Sequence, residues 1–407
     1  MQFPFYAAEM IARLSRAGFC AYAVGGCVRD SLLGREPNDW DVTTSARPHE
    51  TQAVFDDPRY HVRTGNGLRH GTVTVSIAGD PSAVCEITTF RSDGEYSDHR
   101  RPDAVTFVSD IREDLSRRDF TVNAMAAAPL ENGETEIVDL FGGREDLEKG
   151  ILRCVGEPAR RFDEDALRIL RGLRFAARYG FAVEENTAAG MREFAPLLDQ
   201  IAPERIGVEL TGILSGRFCG SVLEPFGNIL SRILPGSQVQ NAAQLLSRAD
   251  NWEVRLALLC RDCAPQQLGE ILRRYALGSA VSERILRMIR CKDASLREHA
   301  ERCRMADLFG EEGLREYFVF REALYPDRGE QQIKETLMAL FQPGICYNTA
   351  TLAVDGRMLT EAGIAPGPFL GTILRRLTDA VIAGEMENSR ELLLRRAIEI
   401  YKEENKS

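Results

Sequence analysis

The stretch from Gly25 to Asp41, GGCVRDSLLGREPNDWD, constrains this chain more than any other. The apolar run Phe19 to Val24 before it reads as a buried strand. Gly25-Gly26 can take backbone angles closed to other residues, which lets main-chain N–H groups approach a phosphate. Val28 to Leu33 then reads as a short helix whose N-terminus faces the same anion, with Arg29 adding positive charge. A Gly-Gly pair after a strand is commonly no more than a tight turn, so the end of the stretch matters more. Asp39-Trp40-Asp41-Val42 alternates as a strand does, so the two carboxylates leave one face while Trp40 and Val42 enter the core on the other. Same-face positions lie roughly 7 Å apart along a strand, a separation from which carboxylates converge on one or two Mg²⁺ ions. An isolated Asp-x-Asp is equally a solvated edge, but behind a glycine turn it predicts nucleotide chemistry on a metal.

At 407 residues the chain has room for two to four domains. Its net charge of −10 excludes gross attraction to nucleic acid, so any RNA contact must come from local basic patches. No run reaches the eighteen or so apolar residues of a membrane span, and Met1-Gln2-Phe3-Pro4 lacks the features of a signal peptide. A cytoplasmic protein is expected. The ten cysteines form no framework, and the one close pair, Cys260 and Cys263, has no second pair at zinc-site spacing, so reduced thiols are expected. The five histidines show no metal-binding spacing.

Along the chain, residues 5–17 carry the spacing of an amphipathic helix. Strands are expected at about 20–24, 39–44, 71–77, 83–90 and 104–108, interrupted by only one or two helices. That pattern predicts a small, mainly antiparallel mixed sheet with helices on one side. The polar, turn-rich stretch 91–103 reads as a mobile loop or a passive connector. Glu86 interrupts the apolar strand Ala83 to Phe90, so it is either turned outward by alternation or aimed at a cation, a candidate third carboxylate. Arg117-Arg118-Asp119-Phe120-Thr121-Val122-Asn123-Ala124-Met125 leads into an apolar stretch read as helical. Asp119 there is either a helix N-terminal residue or, with Asn123, a neighbour of sugar hydroxyls, with Arg118 on a phosphate or ribose.

The segment Arg161 to Phe175, RFDEDALRILRGLRF, is read as a helix burying Ile169, Leu170, Leu173, Ala176 and Ala177. Asp165, Arg168, Arg171 and Arg174 form an i, i+3 row on the other side, which on many helices is only a solvated face. Base chemistry offers a sharper reading. Adenine and cytosine present an exocyclic amine donor beside a ring-nitrogen acceptor, and uracil and guanine reverse that order. An ionised Asp165 only accepts and Arg168 only donates, so the pair matches A or C and mismatches U or G. Such a bidentate contact discriminates by about 1–3 kcal/mol. Arg171 and Arg174 would hold the triphosphate or support Asp165 from behind.

GGCVRD, DWD, RRDFTVNAM and RFDEDALRILRGLRFAAR, in this order over residues 24–178, closely resemble the bacterial class II tRNA nucleotidyltransferases and their poly(A) polymerase relatives. The resemblance implies an α+β chain, with a polymerase-β-like nucleotidyltransferase head built on a small mixed sheet followed by all-α neck, body and tail domains. The corresponding boundaries are 1–147, 148–210, 211–325 and 326–407. It implies Asp39 and Asp41 as the catalytic, Mg²⁺-binding carboxylates. Gly26, Arg29 and Arg118 match nucleotide-contacting positions, and Asp165, Arg168, Arg171 and Arg174 match the helix that recognises ATP or CTP. Glu164 completes the Glu-Asp-x-x-Arg motif, while Glu86 stays outside the catalytic set.

The implied activity is template-independent addition of C, C and A to the acceptor end of tRNA from CTP and ATP, with release of pyrophosphate. The alternatives are a poly(A) polymerase, an enzyme adding only CC or only A, and a catalytically silent tRNA-binding protein. The acidic end Glu403-Glu404-Asn405-Lys406-Ser407 disfavours the poly(A) reading, the 91–103 loop the CC-only reading, and the two aspartates the silent one. The oligomeric state is left open, a homodimer included. Beyond residue 180 the pattern is helical. The arginine-rich 284–304 segment is read as a solvated helix in preference to an RNA-facing one. Gly363 to Gly371 is read as a glycine-proline turn between helices, resembling the tail of the same family, that is either a connector or a donor of backbone N–H groups to a phosphate.

Overall fold

A computed structural model describes residues 1–94, 105–130 and 132–404. Most of the 91–103 loop and the last three residues of the acidic end therefore lie outside the described residues. The chain forms two compact units, one of residues 1–235 with 239–243 and 274–276, the other of 236–238, 244–273 and 277–407.

The first unit opens with α1 (Phe5–Arg16), whose Ala7, Met10, Ile11 and Leu14 make one buried stripe. Then come β1 (Ala21–Val24), α2 (Gly26–Leu32), β2 (Trp40–Thr44), α3 (Pro48–Val54), β3 (Tyr60–Arg63), β4 (Thr72–Ile77) and β5 (Asp80–Thr89). A short ribbon of β6 (Arg91–Asp93) and β7 (Val105–Phe107) follows, then α4 (Ile111–Ser116), β8 (Met125–Pro129) and β9 (Thr135–Asp139). The sheet has seven strands in the order β3-β4-β5-β2-β1-β8-β9. Only the β2–β5 pair is parallel, as the mainly antiparallel expectation requires. Ala83, Cys85 and Ile87 alternate inward on β5 while Val84 and Glu86 turn out. On the other face Val24, Leu115 and Ala126 form a small core with Tyr22, Ile111 and Val138.

The sequence reading fails after Arg118. The stretch taken as helical is a single 3₁₀ turn, Thr121–Asn123, running into the buried strand β8, and Asp119 stands in a loop rather than at a helix start. A short wholly apolar run such as Met125–Ala128 has no period that separates helix from strand; pairing with β1 and β9 decides it. β3 and β9 were not anticipated either.

After β9 this unit continues with α5 (Gly143–Lys149), β10 (Ile151–Leu152), α6 (Pro158–Glu164), α7 (Leu167–Tyr179), β11 (Ala182–Val183), α8 (Glu185–Phe194) and α9 (Pro203–Ser215). The apolar face expected for α7 is the buried one: Ile169, Leu170, Leu173, Ala176 and Ala177 are all in the core. Gly172 lets it pack closely, since a Cβ there would meet Met191 at 2.3 Å and the Phe120 ring at 2.8 Å.

Beyond Val183 the described residues contain helices and no strand. The second unit has one core around buried Tyr317, Phe318, Phe320 and Arg321, whose guanidinium pairs with Glu330. Another gathers Leu359, Ile364, Ile373, Leu377, Leu393 and Ala397. The arginine-rich 284–304 segment is not one helix: helix Ser279–Arg290 ends inside it and helix His299–Leu324 begins further on within it. On the first of them Arg284 pairs with Glu253 and Arg287 with Glu283. The glycine-proline turn joins helices Gly356–Glu361 and Pro368–Ile382 as expected.

Gly143 starts α5 where a Cβ would stand 2.3 Å from the Thr121 carbonyl oxygen. Because that neighbour is backbone, Gly143→Ala should cost about 1–3 kcal/mol and lower the melting temperature by several degrees. An unchanged thermal transition would contradict this packing.

Candidate active site

Asp41 projects from β2 on the face opposite buried Trp40 and Val42, and Asp39 stands two residues earlier on the same side. The parallel register places Glu86 of β5 directly beside Asp41. Three carboxylates thus crowd one sheet face, all reaching solvent. Partial loss of water, then repulsion from Asp39 and Glu86, lifts the Asp41 carboxyl to about 6, and Arg118 opposes that only in part. An oxygen-only donor set carrying uncompensated negative charge fits a hard divalent cation. Among the described residues no three His, Cys, Asp or Glu side chains already close a cage.

The glycine turn borders this face. Gly25 has φ 80 and ψ −123, a conformation for glycine alone, and a Cβ there would press on Arg118 Nη1 at 3.1 Å. Gly26 begins α2. Arg118 is held from below by buried Asp114, which also takes Arg117 and the Thr43 hydroxyl. Burial pushes the Asp114 carboxyl up, but Arg118 and Arg117 outweigh it and keep it below the usual range.

Arg29, expected at the nucleotide, is engaged inside the protein. Its guanidinium is buried beneath the turn, with Nε donating to Asp30 at 2.9 Å, Nη1 to Asn123 Oδ1 at 2.5 Å and Nη2 to Tyr179 at 2.7 Å. Phosphate contact would require breaking these bonds. Arg29 instead fastens the glycine turn to α7, because Tyr179 is that helix's last residue and also donates to Asp30. Asn123, expected near a sugar, is used in this network.

Asp165 does not ride on the recognition helix. It ends α6 in an extended conformation (φ −146, ψ 101), and α7 starts two residues later. Its carboxylate accepts from Leu167 N at 3.1 Å and from Arg205 Nη2 at 3.0 Å. Arg168 does lie on α7, largely buried, bonded to Glu164 at 2.8 Å and to the carbonyls of Arg161 and Arg117. Glu164 also receives Arg160 and Arg161.

The next two arginines are engaged with acids rather than presented to a triphosphate. Arg171 pairs with Asp119 at 2.7 Å, and Arg174 with Glu209 of α9 at 3.0 Å. Burial raises the Asp119 carboxyl, but the Arg171 charge and hydrogen bond, with Arg168 and Asn123, bring it down to about 2. Burial dominates the second pair, lowering the Arg174 pKa and raising that of Glu209. Arg205 and Glu209 escaped the sequence reading. Their only signal there is an i, i+4 charge pair on a helix, a pattern that usually marks a solvated face.

Among known protein families, the Poly A polymerase head domain matches residues 21–153. A polymerase A RNA- and SrmB-binding-site model matches 180–224, and tRNA nucleotidyltransferase domain 2 matches 244–397. The CCA-adding enzyme of Limosilactobacillus reuteri (strain DSM 20016) is 38% identical over 98% of this chain and 97% of that enzyme. That of Geobacillus thermodenitrificans is 37% identical over 94% and 93%. The crystal structure of the Bacillus stearothermophilus CCA-adding enzyme in complex with CTP matches with a TM-score of 0.78 and 32% identity, over the whole of both chains.

Arg29→Met should remove the guanidinium shared by Asp30, Asn123 and Tyr179 and cost about 3–5 kcal/mol, read as a lower urea midpoint. A normal midpoint with raised KM for CTP and ATP would restore the phosphate-contact reading. Asp119 has a folded pKa of about 2, below the unfolded value near 3.9. Its pair therefore contributes fully above about pH 4 and fades as pH falls through 2, a span of about 2–3 kcal/mol. Urea unfolding as a function of pH should show that acid limb flattened in Asp119→Asn; an unaltered limb would contradict the assignment.

Proposed function

The chain belongs to the CCA-adding enzymes of the tRNA nucleotidyltransferase and poly(A) polymerase family, and from that membership we propose how its residues divide the work. The enzyme adds C, C and A to the 3′ end of tRNA, taking nucleotides from CTP and ATP, releasing pyrophosphate and using no nucleic-acid template. It depends on a divalent cation, for which we propose Mg²⁺, held by Asp39 and Asp41. When bound, such an ion lowers the pKa of the attacking RNA 3′-hydroxyl and offsets charge on the triphosphate.

The rest falls to the chain's own groups. Gly25 and Gly26 let the backbone approach the phosphates, and Arg118, steadied by Asp114, presents positive charge across from Asp41. Glu86 is proposed as a third acidic neighbour that keeps the face negative. Asp165 accepts the exocyclic amine of cytosine or adenine, and Arg168, oriented by Glu164, donates to the adjacent ring nitrogen. Arg171 and Arg174 act from behind, holding α7 in place through Asp119 and Glu209. The observation that carries this division is the Arg171–Asp119 pair, which ties the base-reading helix to the segment carrying Arg118. We assign residues 1–147 to the head, 148–210 to the neck, 211–325 to the body and 326–407 to a tRNA-binding tail. No described helix is long and apolar enough to cross a membrane, which supports action in the cytoplasm.

Asp39→Ala should reduce nucleotide incorporation by at least a thousandfold while tRNA affinity, followed by filter binding, stays within about threefold. Normal turnover by that variant would remove Asp39 from the metal site. Labelled CTP and ATP offered to transcripts of one tRNA ending before CCA, after C and after CC should give two C and one A and then stop. Unlimited A addition would indicate poly(A) synthesis instead.

A further inference from the structure

Asp165 reads a base only if its carboxylate is held at a fixed angle, and its own backbone does not supply that. The residue sits in an extended link between two helices, its N–H closing α6 on the Arg161 carbonyl and its own carbonyl accepting from Arg168 N, and neither backbone bond fixes the side chain. Two bonds fix it, one on each oxygen: Oδ1 accepts from Leu167 N, and Oδ2 accepts from Arg205 Nη2 at 3.0 Å. Each carboxylate oxygen has two lone pairs, so both can still accept from an exocyclic amine without releasing these partners.

Arg205 is well placed for this. It lies in the first turn of α9, one helical turn before Glu209, and Glu209 pairs with Arg174 of α7. Gly212, further along α9, has no Cβ where one would stand 2.5 Å from Arg174 Cδ, so the arginine stem lies flat against that helix. The α7–α9 contact thus sets where Arg205 points. Its other amino group, Nη1, is buried with no hydrogen-bond partner among the described residues. An unmade bond of this kind costs about 1–3 kcal/mol, so a purely structural site would gain by losing it.

We propose that Arg205 is a positioning residue for nucleotide selection, holding Asp165 so that its carboxylate meets the amine of cytosine or adenine and rejects the carbonyl of uracil or guanine. The inference rests on Asp165 being a base reader, and the test separates the two. Arg205→Ala, Arg205→Gln, Arg205→Lys and Asp165→Ala are compared with the parent enzyme in single-nucleotide addition to tRNA ending before CCA and after CC. Melting temperatures are recorded alongside. Arg205→Ala should raise KM for CTP and ATP about tenfold, with a smaller loss in kcat, and narrow the preference for CTP over UTP about tenfold. Arg205→Lys, which keeps a donor and the charge, should recover most of the preference, and Arg205→Gln should recover less. If Arg205→Ala does not fold, the Lys and Gln variants carry the comparison. Altered selection in Asp165→Ala with unaltered selection in every Arg205 variant overturns this inference alone. Unaltered selection in Asp165→Ala as well overturns the base-reading assignment beneath it.

Discussion

The ion pair between Arg171 and Asp119 is the contact on which the rest of the first unit's chemistry depends. Asp119 follows Arg118, and Arg171 stands one helical turn beyond Arg168. One part-buried, charge-assisted bond therefore fixes the spacing between the group proposed to face phosphate and the group proposed to face the base. Two further links act in parallel. Arg168 donates to the Arg117 carbonyl, and Tyr179 at the far end of α7 closes the Arg29–Asp30–Asn123 network under the glycine turn. A helix secured at its start, middle and end has little freedom to drift against the sheet. A protein that uses its own side chains in place of a template strand needs that rigidity, since a bidentate contact discriminates by only about 1–3 kcal/mol.

The same logic explains why so much buried charge is retained. Buried ion pairs are weak sources of stability, because desolvation offsets most of the attraction. The opposite pulls on Arg174 and Glu209, each driven toward its neutral form by burial, illustrate that balance. What such pairs do provide is direction. Asp114 aims Arg117 and Arg118, Glu164 aims Arg168, and Glu209 seats Arg174. The carboxylates around Asp41 do the reverse, leaving excess negative charge open to solvent where the cation is proposed to bind.

What was legible in the sequence follows from which interactions are local. The alternation around Trp40 shows that Asp39 and Asp41 leave the same face, and the apolar spacing of 169–177 identifies the buried side of α7. Glu86 was half legible, since alternation turns it outward but only the β2–β5 register sets it beside Asp41. The partners of the arginine row were not legible. Asp119 lies 52 residues from Arg171 in the chain, and Arg205 lies 40 from Asp165. The same holds for Arg29, whose burial depends on Tyr179 some 150 residues away. β8 was missed because an alanine-rich run carries no period, and its neighbours in the sheet decide its conformation.

The most direct test of this account is a structure of the enzyme with CTP and a divalent cation. The account predicts the cytosine amine within hydrogen-bond distance of Asp165, with Arg205 still bonded to that carboxylate and Arg171 still on Asp119. It also predicts the cation on Asp39 and Asp41 beside the triphosphate. A cytosine held away from Asp165, or an α7 that parts from Asp119 to receive it, would contradict the account.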